Sequence, residues 1–308
     1  MSNRHHASKL AGDGADGLPS SQRPWAIAAI FTALSMASLD VAIANIALPS
    51  ISADLHVTPA EVVWVVNIYQ IALVATLLPL GALGEIVGHQ RIYLGGLLLF
   101  TLASVGCALA WSLPTLVIAR ALQGLGASGI MSVNTALVRF VYPGKMLGRG
   151  LGHNALVVGI SFTFGPTIAS AILSLGSWPW LFAINLPFGL VAIAIGMKML
   201  PRTPRAEHSF DFLGAGFAAL CLGLFITGIG SAAHGATPAA VVAELVGALV
   251  LGIILTRRQA DHPAPMLPID LFRRGVFALS AATAVCSFSV QGLGFVSLPF
   301  YFEDILQR

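Results

Sequence analysis

Charge is what this chain has least of. Asp, Glu, Lys and Arg make up 9% of its 308 residues, where an ordinary soluble domain carries about 25%. That shortage excludes a water-facing globular surface. Cysteine is scarce too. Cys107, Cys221 and Cys286 fall in separate apolar runs with no CxxC spacing, which excludes a disulfide framework or a cysteine-held metal and leaves them as small packing residues. There is no HExxH, no GxSxG elbow, no Walker A loop and no Cys/His metal spacing, so no enzyme, metal or cofactor is expected. The net charge of +3 is small, and no nucleic-acid partner is expected.

Hydrophobic residues are abundant, at 56%, with a mean hydropathy of +0.85. Nine apolar runs are long enough to span a bilayer, near 25–49, 61–82, 92–111, 114–138, 151–175, 181–200, 212–231, 238–256 and 276–301. A membrane helix needs roughly 20 such residues. The fold class is therefore an all-α polytopic membrane protein of about nine spans.

The basic residues orient it. With the N-terminus in the cytoplasm, the loops near 50–60, 111–113, 176–180 and 232–237 are external and contain no Lys or Arg. All Lys and Arg residues except Arg120 and Arg308 then lie on the cytoplasmic side, as the positive-inside rule requires. The polar segment 1–23, which includes His5-His6, has no apolar h-region with a small-residue cleavage site and reads as a cytoplasmic tail. Polar stretches at 201–211 and 257–275 then divide the chain. They separate a six-helix block (24–200), two further helices (212–256) and one last helix (276–308).

Asp40 is the only carboxylate in the run from Trp25 to Leu48. An acid at bilayer depth costs a few kcal/mol, so it faces a wet cavity, pairs with a base or carries a proton. Arg120, inside the fourth run, faces the same constraint. The two are expected to pair; the alternative is that Arg120 lies near an interface and caps carbonyls. Gly124-x-Gly126-x-x-Gly129 matches the dinucleotide fingerprint in letters only. It follows a membrane helix where a strand is required, so close helix packing explains it better.

Other residues leave two readings open. The segment Gly81–Arg91, with Gly84, Glu85, Gly88 and Arg91, is either a tight turn holding two helix ends by a breakable charge contact or an ordinary inside loop. Pro166 is expected to kink the fifth helix, with Gly152, Ser161 and Gly165 permitting a close crossing. Trp64 and Tyr69 either line a cavity or anchor and pack. Glu244 is expected to reach the outer interface, and His153 to sit near the cytoplasmic one.

Several segments carry a resemblance. Leu39-Asp40-Val41-Ala42-Ile43-Ala44-Asn45-Ile46-Ala47-Leu48-Pro49 resembles the first-helix signature of the fourteen-helix drug:H⁺ antiporter branch of the major facilitator superfamily. Gly81–Arg91 is similar to that superfamily's G-x-L-A-D-R-x-G-R-K/R loop, with Glu85 for the acid, Ile86 for the first arginine, and His89 and Gln90 for the later basic pair. Arg120-Ala121-Leu122-Gln123-Gly124 resembles the R-x-x-Q-G signature. Gly152, Gly165 and Pro166 fall on the fifth-helix antiporter motif, where Ser161, Ala169 and Ser170 replace glycines. Trp178-Pro179-Trp180-Leu181-Phe182-Ala183-Ile184-Asn185-Leu186-Pro187 is similar to W-R-W-I-F-x-I-N-x-P.

The resemblance implies a proton-coupled exporter of small amphipathic compounds in the inner membrane. Asp40 and Arg120 would handle the proton, and Gly81, Gly84, Glu85, Gly88 and Arg91 the gating loop. Asn45, Trp64, Tyr69 and Gln123 are cavity candidates. The implied fold has two six-helix bundles, of which this chain supplies the first, two extra helices and one helix of the second. It is expected to be incomplete, with any partner supplying the remaining helices unknown. Alternatives are a same-fold exporter of a metabolite or siderophore, or a non-transporting remnant or half-carrier.

Overall fold

The computed structural model describes residues 17–233, 235–259, 265–266 and 269–300. Most of the expected tail, including His5-His6, and the segment 301–308 lie outside the described residues.

The described chain is helical. Helix α1 (Arg23–Leu55) is followed by a single-turn α2 (Pro59–Val62), α3 (Trp64–Val87), α4 (His89–Ala108), α5 (Leu113–Val141) and α6 (Leu147–Leu175). A short α7 (Pro179–Ala183) leads into α8 (Asn185–Met199), then come α9 (Phe212–Ala233), α10 (Pro238–Gln259) and α11 (Gly275–Phe300). Among the described residues, eight helices are long and apolar enough to cross a membrane, with α2 and α3 counting as one and α7 and α8 as another. The chain divides into two compact units, 1–255 and 256–308. The second contains a 3₁₀ turn (Ile269–Arg273) and α11, with Phe272 and Phe277 edge to face.

Two expectations about boundaries need correction. The first run does not stop at Pro49, because α1 continues through it to Leu55. An interior proline removes one backbone hydrogen bond, and in membrane helices neighbouring groups re-satisfy it. Pro79 and Pro166 likewise lie inside α3 and α6. The segment expected to form a loop from Gly81 to Arg91 is also mostly helical. Gly81, Gly84 and Glu85 belong to α3 and Arg91 to α4, and the break is the single residue Gly88 at φ +107°. A side chain is strained at that angle, so glycine is required there.

Glycines set the packing of α3, α4 and α5. A Cβ on Gly126 would lie 2.5 Å from the Phe100 nitrogen and 2.8 Å from the Gly96 oxygen, and one on Gly96 would lie 2.8 Å from Gly129 Cα. On another side of α5, a Cβ on Gly124 would collide with the Tyr69 carbonyl on α3. The small-residue pattern that mimicked a nucleotide motif therefore brings α5 into backbone contact with both neighbours. Gly165 on α6 does the same against Ala42 on α1.

The core consists of two apolar clusters. One surrounds Tyr93, Leu97, Phe100 and Ile130; the other surrounds Ile51, Val65, Leu116, Trp178 and Phe182. Ala37 belongs to the first and Ile43 to the second, with Asp40 between them on α1. On α5, Arg120 and Gln123 fall in the same way between Ala119 and Ala127. Large apolar side chains such as Leu102, Ile118 and Leu156 are exposed instead, as befits surfaces that meet lipid.

Candidate functional site

Helices α1, α3, α4 and α5 meet where the two apolar clusters adjoin, with α7 and α8 beside them. Asp40 from α1 and Arg120 from α5 form a salt bridge there, through Asp40 Oδ2 and Arg120 Nη1. Arg120 has no exposed surface. Its Nη1 also donates to Gln123 Oε1 at 2.7 Å, and its Nε donates to the Val65 carbonyl on α3 at 2.9 Å. The guanidinium carbon lies 4.2 Å from the Tyr69 ring centroid and 5.5 Å from that of Phe182, close enough for cation–π attraction in a dry site. Arg120 Nη2 is buried without a hydrogen-bond partner among the described residues.

Gln123 completes the cluster. Its Nε2 donates to Asp40 Oδ1 at 2.8 Å and to Ser104 Oγ at 2.9 Å. Its Oε1 accepts from Arg120 and, at 3.3 Å, from the Cys107 thiol. Both amide hydrogens and both oxygen lone pairs are therefore used, which fixes the orientation of the amide. Ser104 donates to the Phe100 carbonyl at 2.8 Å and accepts from Asn185 on α8 at 3.4 Å.

The sequence-predicted residues are distributed as follows. Asp40, Arg120, Gln123 and Tyr69 come together; Tyr69 donates its hydroxyl to the Ala37 carbonyl at 3.2 Å. Tyr69 and Gln123 thus sit in the closed interior, not on an open cavity wall. Asn45 is exposed and donates to its own helix at the Val41 carbonyl, and Trp64 is half exposed at 50%. Gly165 on α6 packs against Ala42 and Leu39, on either side of Asp40 in sequence, and Pro166 follows it in the helix, whereas a Cβ on Gly152 would meet nothing within 4 Å. Glu244 is partly buried on α10, and its Oε2 has no hydrogen-bond partner among the described residues. His153 meets the Tyr142 hydroxyl through Nδ1 at 3.2 Å.

Ser104, Cys107 and Asn185 were not expected at this site. Ser104 and Cys107 are one helical turn apart, as are Arg120 and Gln123. Polar pairs at i, i+3 inside apolar runs were the available signal. The gating-loop candidates lie elsewhere. The Glu85 carbonyl accepts from the Ala206 N–H at 2.8 Å, and Glu85 Oε2 lies 3.9 Å from His208 Nε2. Among the described residues no group of His, Cys, Asp and Glu could hold a metal ion.

Among the described residues, apolar-coated helices thus surround a buried ion pair, and comparison with known proteins identifies the family. The family model described as Major Facilitator Superfamily matches residues 30–307. The chain belongs to the major facilitator superfamily. Among superfamily relatives, it is 50% identical to the uncharacterized transporter YebQ of Escherichia coli K12, over 96% of this chain and 65% of that protein. It is 32% identical to the riboflavin transporter RibZ of Clostridioides difficile, covering 88% and 59%. It is also 32% identical to the tetracenomycin C resistance and export protein of Streptomyces glaucescens, covering 92% and 53%. The chain thus spans between 53% and 65% of these relatives' lengths. The human organic anion transporter MFSD10 shares the major facilitator fold at 16% identity and a TM-score of 0.53, over 67% of this chain and 55% of that one.

Proposed function

We propose that this chain is part of a proton-coupled exporter of small amphipathic compounds, of the fourteen-helix drug:H⁺ antiporter branch. It would act in the inner membrane with its N-terminus in the cytoplasm. The observation that carries the reading is the buried cluster of Asp40, Arg120 and Gln123. An ionised Asp40 accepts from two donors, one on each oxygen. Protonation would remove the negative charge with which the guanidinium pairs, and a nearby positive charge in turn favours the ionised carboxylate. Proton binding and the ion pair therefore compete.

The cluster also provides for release. If Arg120 leaves Asp40, it keeps the Gln123 oxygen and the Val65 carbonyl as acceptors, so the guanidinium stays partly satisfied while the acid is free to take a proton. A conformational change that separates α1 from α5 would favour loading, and one that restores the pair would favour release. Alternating access by rocking of one bundle against the other supplies such a change. A lipophilic cation would suit an acid flanked by an aromatic ring once the bundle opens.

The relatives support transport in general, and two of their names suggest a cargo. The tetracenomycin C resistance and export protein favours export of a drug-like compound. The riboflavin transporter favours a second reading, a planar metabolite.

The test uses the complete gene product in proteoliposomes with an imposed pH gradient. Dye and riboflavin fluxes are measured with wild type and Asp40→Asn. Gradient-driven flux that is abolished in the variant supports the coupling role. Gradient-driven flux undiminished by Asp40→Asn overturns it, and the cargo that moves decides between the two readings.

A further inference from the structure

A cavity of about 500 Å³ lies where the segment following α8 folds back over the α3–α4 break. Its polar wall is Gln90, Arg91, Arg202 and Arg205, and its apolar wall includes Leu94 and Met197. We propose that this pocket binds the phosphate headgroup of an anionic phospholipid.

The charge in the pocket is uncompensated. Among the described residues no carboxylate lies within salt-bridge distance of Arg91, Arg202 or Arg205. The nearby acid, Glu85, faces His208 instead. Three guanidiniums around one cavity repel each other, and they are kept together only by the backbone that carries them. An anion relieves that repulsion, and arginine's planar fork suits phosphate oxygens.

The arginines are also held in place. Between Arg202 and Arg205, Thr203 accepts the His89 N–H on its Oγ1 at 2.8 Å, and the Ala206 N–H bonds the Glu85 carbonyl at 2.8 Å. Each arginine of the strap is therefore next to an anchored residue. Arg91 lies in the first turn of the 20-residue α4, where the positive end of the helix dipole adds to its charge. Gly88, without a side chain, keeps the floor of the pocket low.

The apolar wall argues for lipid over soluble phosphate. Leu94 and Met197 belong to α4 and α8, both membrane-crossing helices, so an acyl chain leaving the headgroup would run along them. The pocket is at the end of the bundle that the basic residues assign to the cytoplasm. Basic pockets between membrane helices on that side suit anionic headgroups.

The test is lipid retention by the purified complete gene product, read by native mass spectrometry. Phosphatidylglycerol, cardiolipin and phosphatidylcholine are titrated in turn. Wild type is compared with R91Q/R202Q/R205Q and with R139Q/K145Q/R149Q, which removes the same charge elsewhere. At about 1 kcal/mol per basic residue, the pocket variant should retain the anionic lipids about 100-fold less well, and the control should match wild type. R91K/R202K/R205K should recover part of the loss, which separates lost charge from lost fold.

Equal retention by wild type and R91Q/R202Q/R205Q overturns the proposal, as does equal retention of phosphatidylcholine. Displacement of bound phosphatidylglycerol by millimolar inorganic phosphate overturns the lipid assignment in favour of a soluble anion. None of these outcomes depends on whether Asp40 couples a proton.

Discussion

Gln123 holds Asp40 from the side opposite Arg120: its amide nitrogen bonds Oδ1 at 2.8 Å, and the guanidinium takes Oδ2. The carboxylate is thereby satisfied on both oxygens by one helix, α5, whose residues 120 and 123 are one turn apart. Attachment of α1 to α5 at this depth is electrostatic and amide-mediated as well as apolar.

Removing the amide should therefore cost more than one hydrogen bond. Gln123→Leu leaves Asp40 Oδ1 and the Cys107 thiol without these partners, and Arg120 and Ser104 each with one bond fewer. A loss of about 1–3 kcal/mol is expected, read as a lowered unfolding midpoint in detergent. An unchanged midpoint would contradict the network.

The ion pair should show strong coupling. Arg120→Ala alone leaves a buried carboxylate and should destabilise by about 3–5 kcal/mol. Combined with Asp40→Asn, the loss should be clearly smaller than the sum of the two single losses. Additive single effects would mean that the two side chains do not act on each other.

Gly126 and Gly152 should behave in opposite ways. Gly126→Ala places a methyl against the Phe100 and Gly96 backbones and should cost about 1–3 kcal/mol by overpacking. Gly152→Ala meets nothing within 4 Å and should leave stability unchanged or slightly raised, since alanine is the better helix former. Thermal unfolding of both variants in one detergent decides the point.

At the other end of the bundle, the Trp178 indole N–H donates to Asp54 Oδ2 at 2.8 Å, tying α7 to the last turn of α1. Asp54→Asn and Trp178→Phe should each cost about 1 kcal/mol through this bond. Limited proteolysis should cut more readily between α6 and α7 in either variant. Cleavage at the wild-type rate would show that apolar packing alone holds the corner.

The parts most legible in the sequence were those with few physical alternatives. Two opposite charges inside separate apolar helices must find partners, so the proximity of Asp40 and Arg120 follows from their burial. The helices themselves follow from uninterrupted apolar length. Ser104, Cys107 and Asn185 were harder, because small polar residues satisfy themselves against their own helix as easily as across the bundle; Ser104 does both. The Gly81–Arg91 segment misled for a different reason. Glycine density usually marks a turn, yet Gly84 is inside α3 because a Cβ there would meet the Val133 side chain at 2.6 Å. Close helix contact and chain reversal select the same residue, and only Gly88 serves the second purpose.

The glycine contacts of α5 also bear on how this protein can change over generations. Any amino-acid change reached by a single base substitution in a glycine codon adds a Cβ, and at positions 96, 124, 126 and 129 that atom would meet backbone. Every one-step replacement at these four sites therefore carries an overpacking cost. Along α6 the reverse holds: a Cβ at positions 148, 152 or 159 meets nothing within 4 Å, so those glycines are free to be replaced.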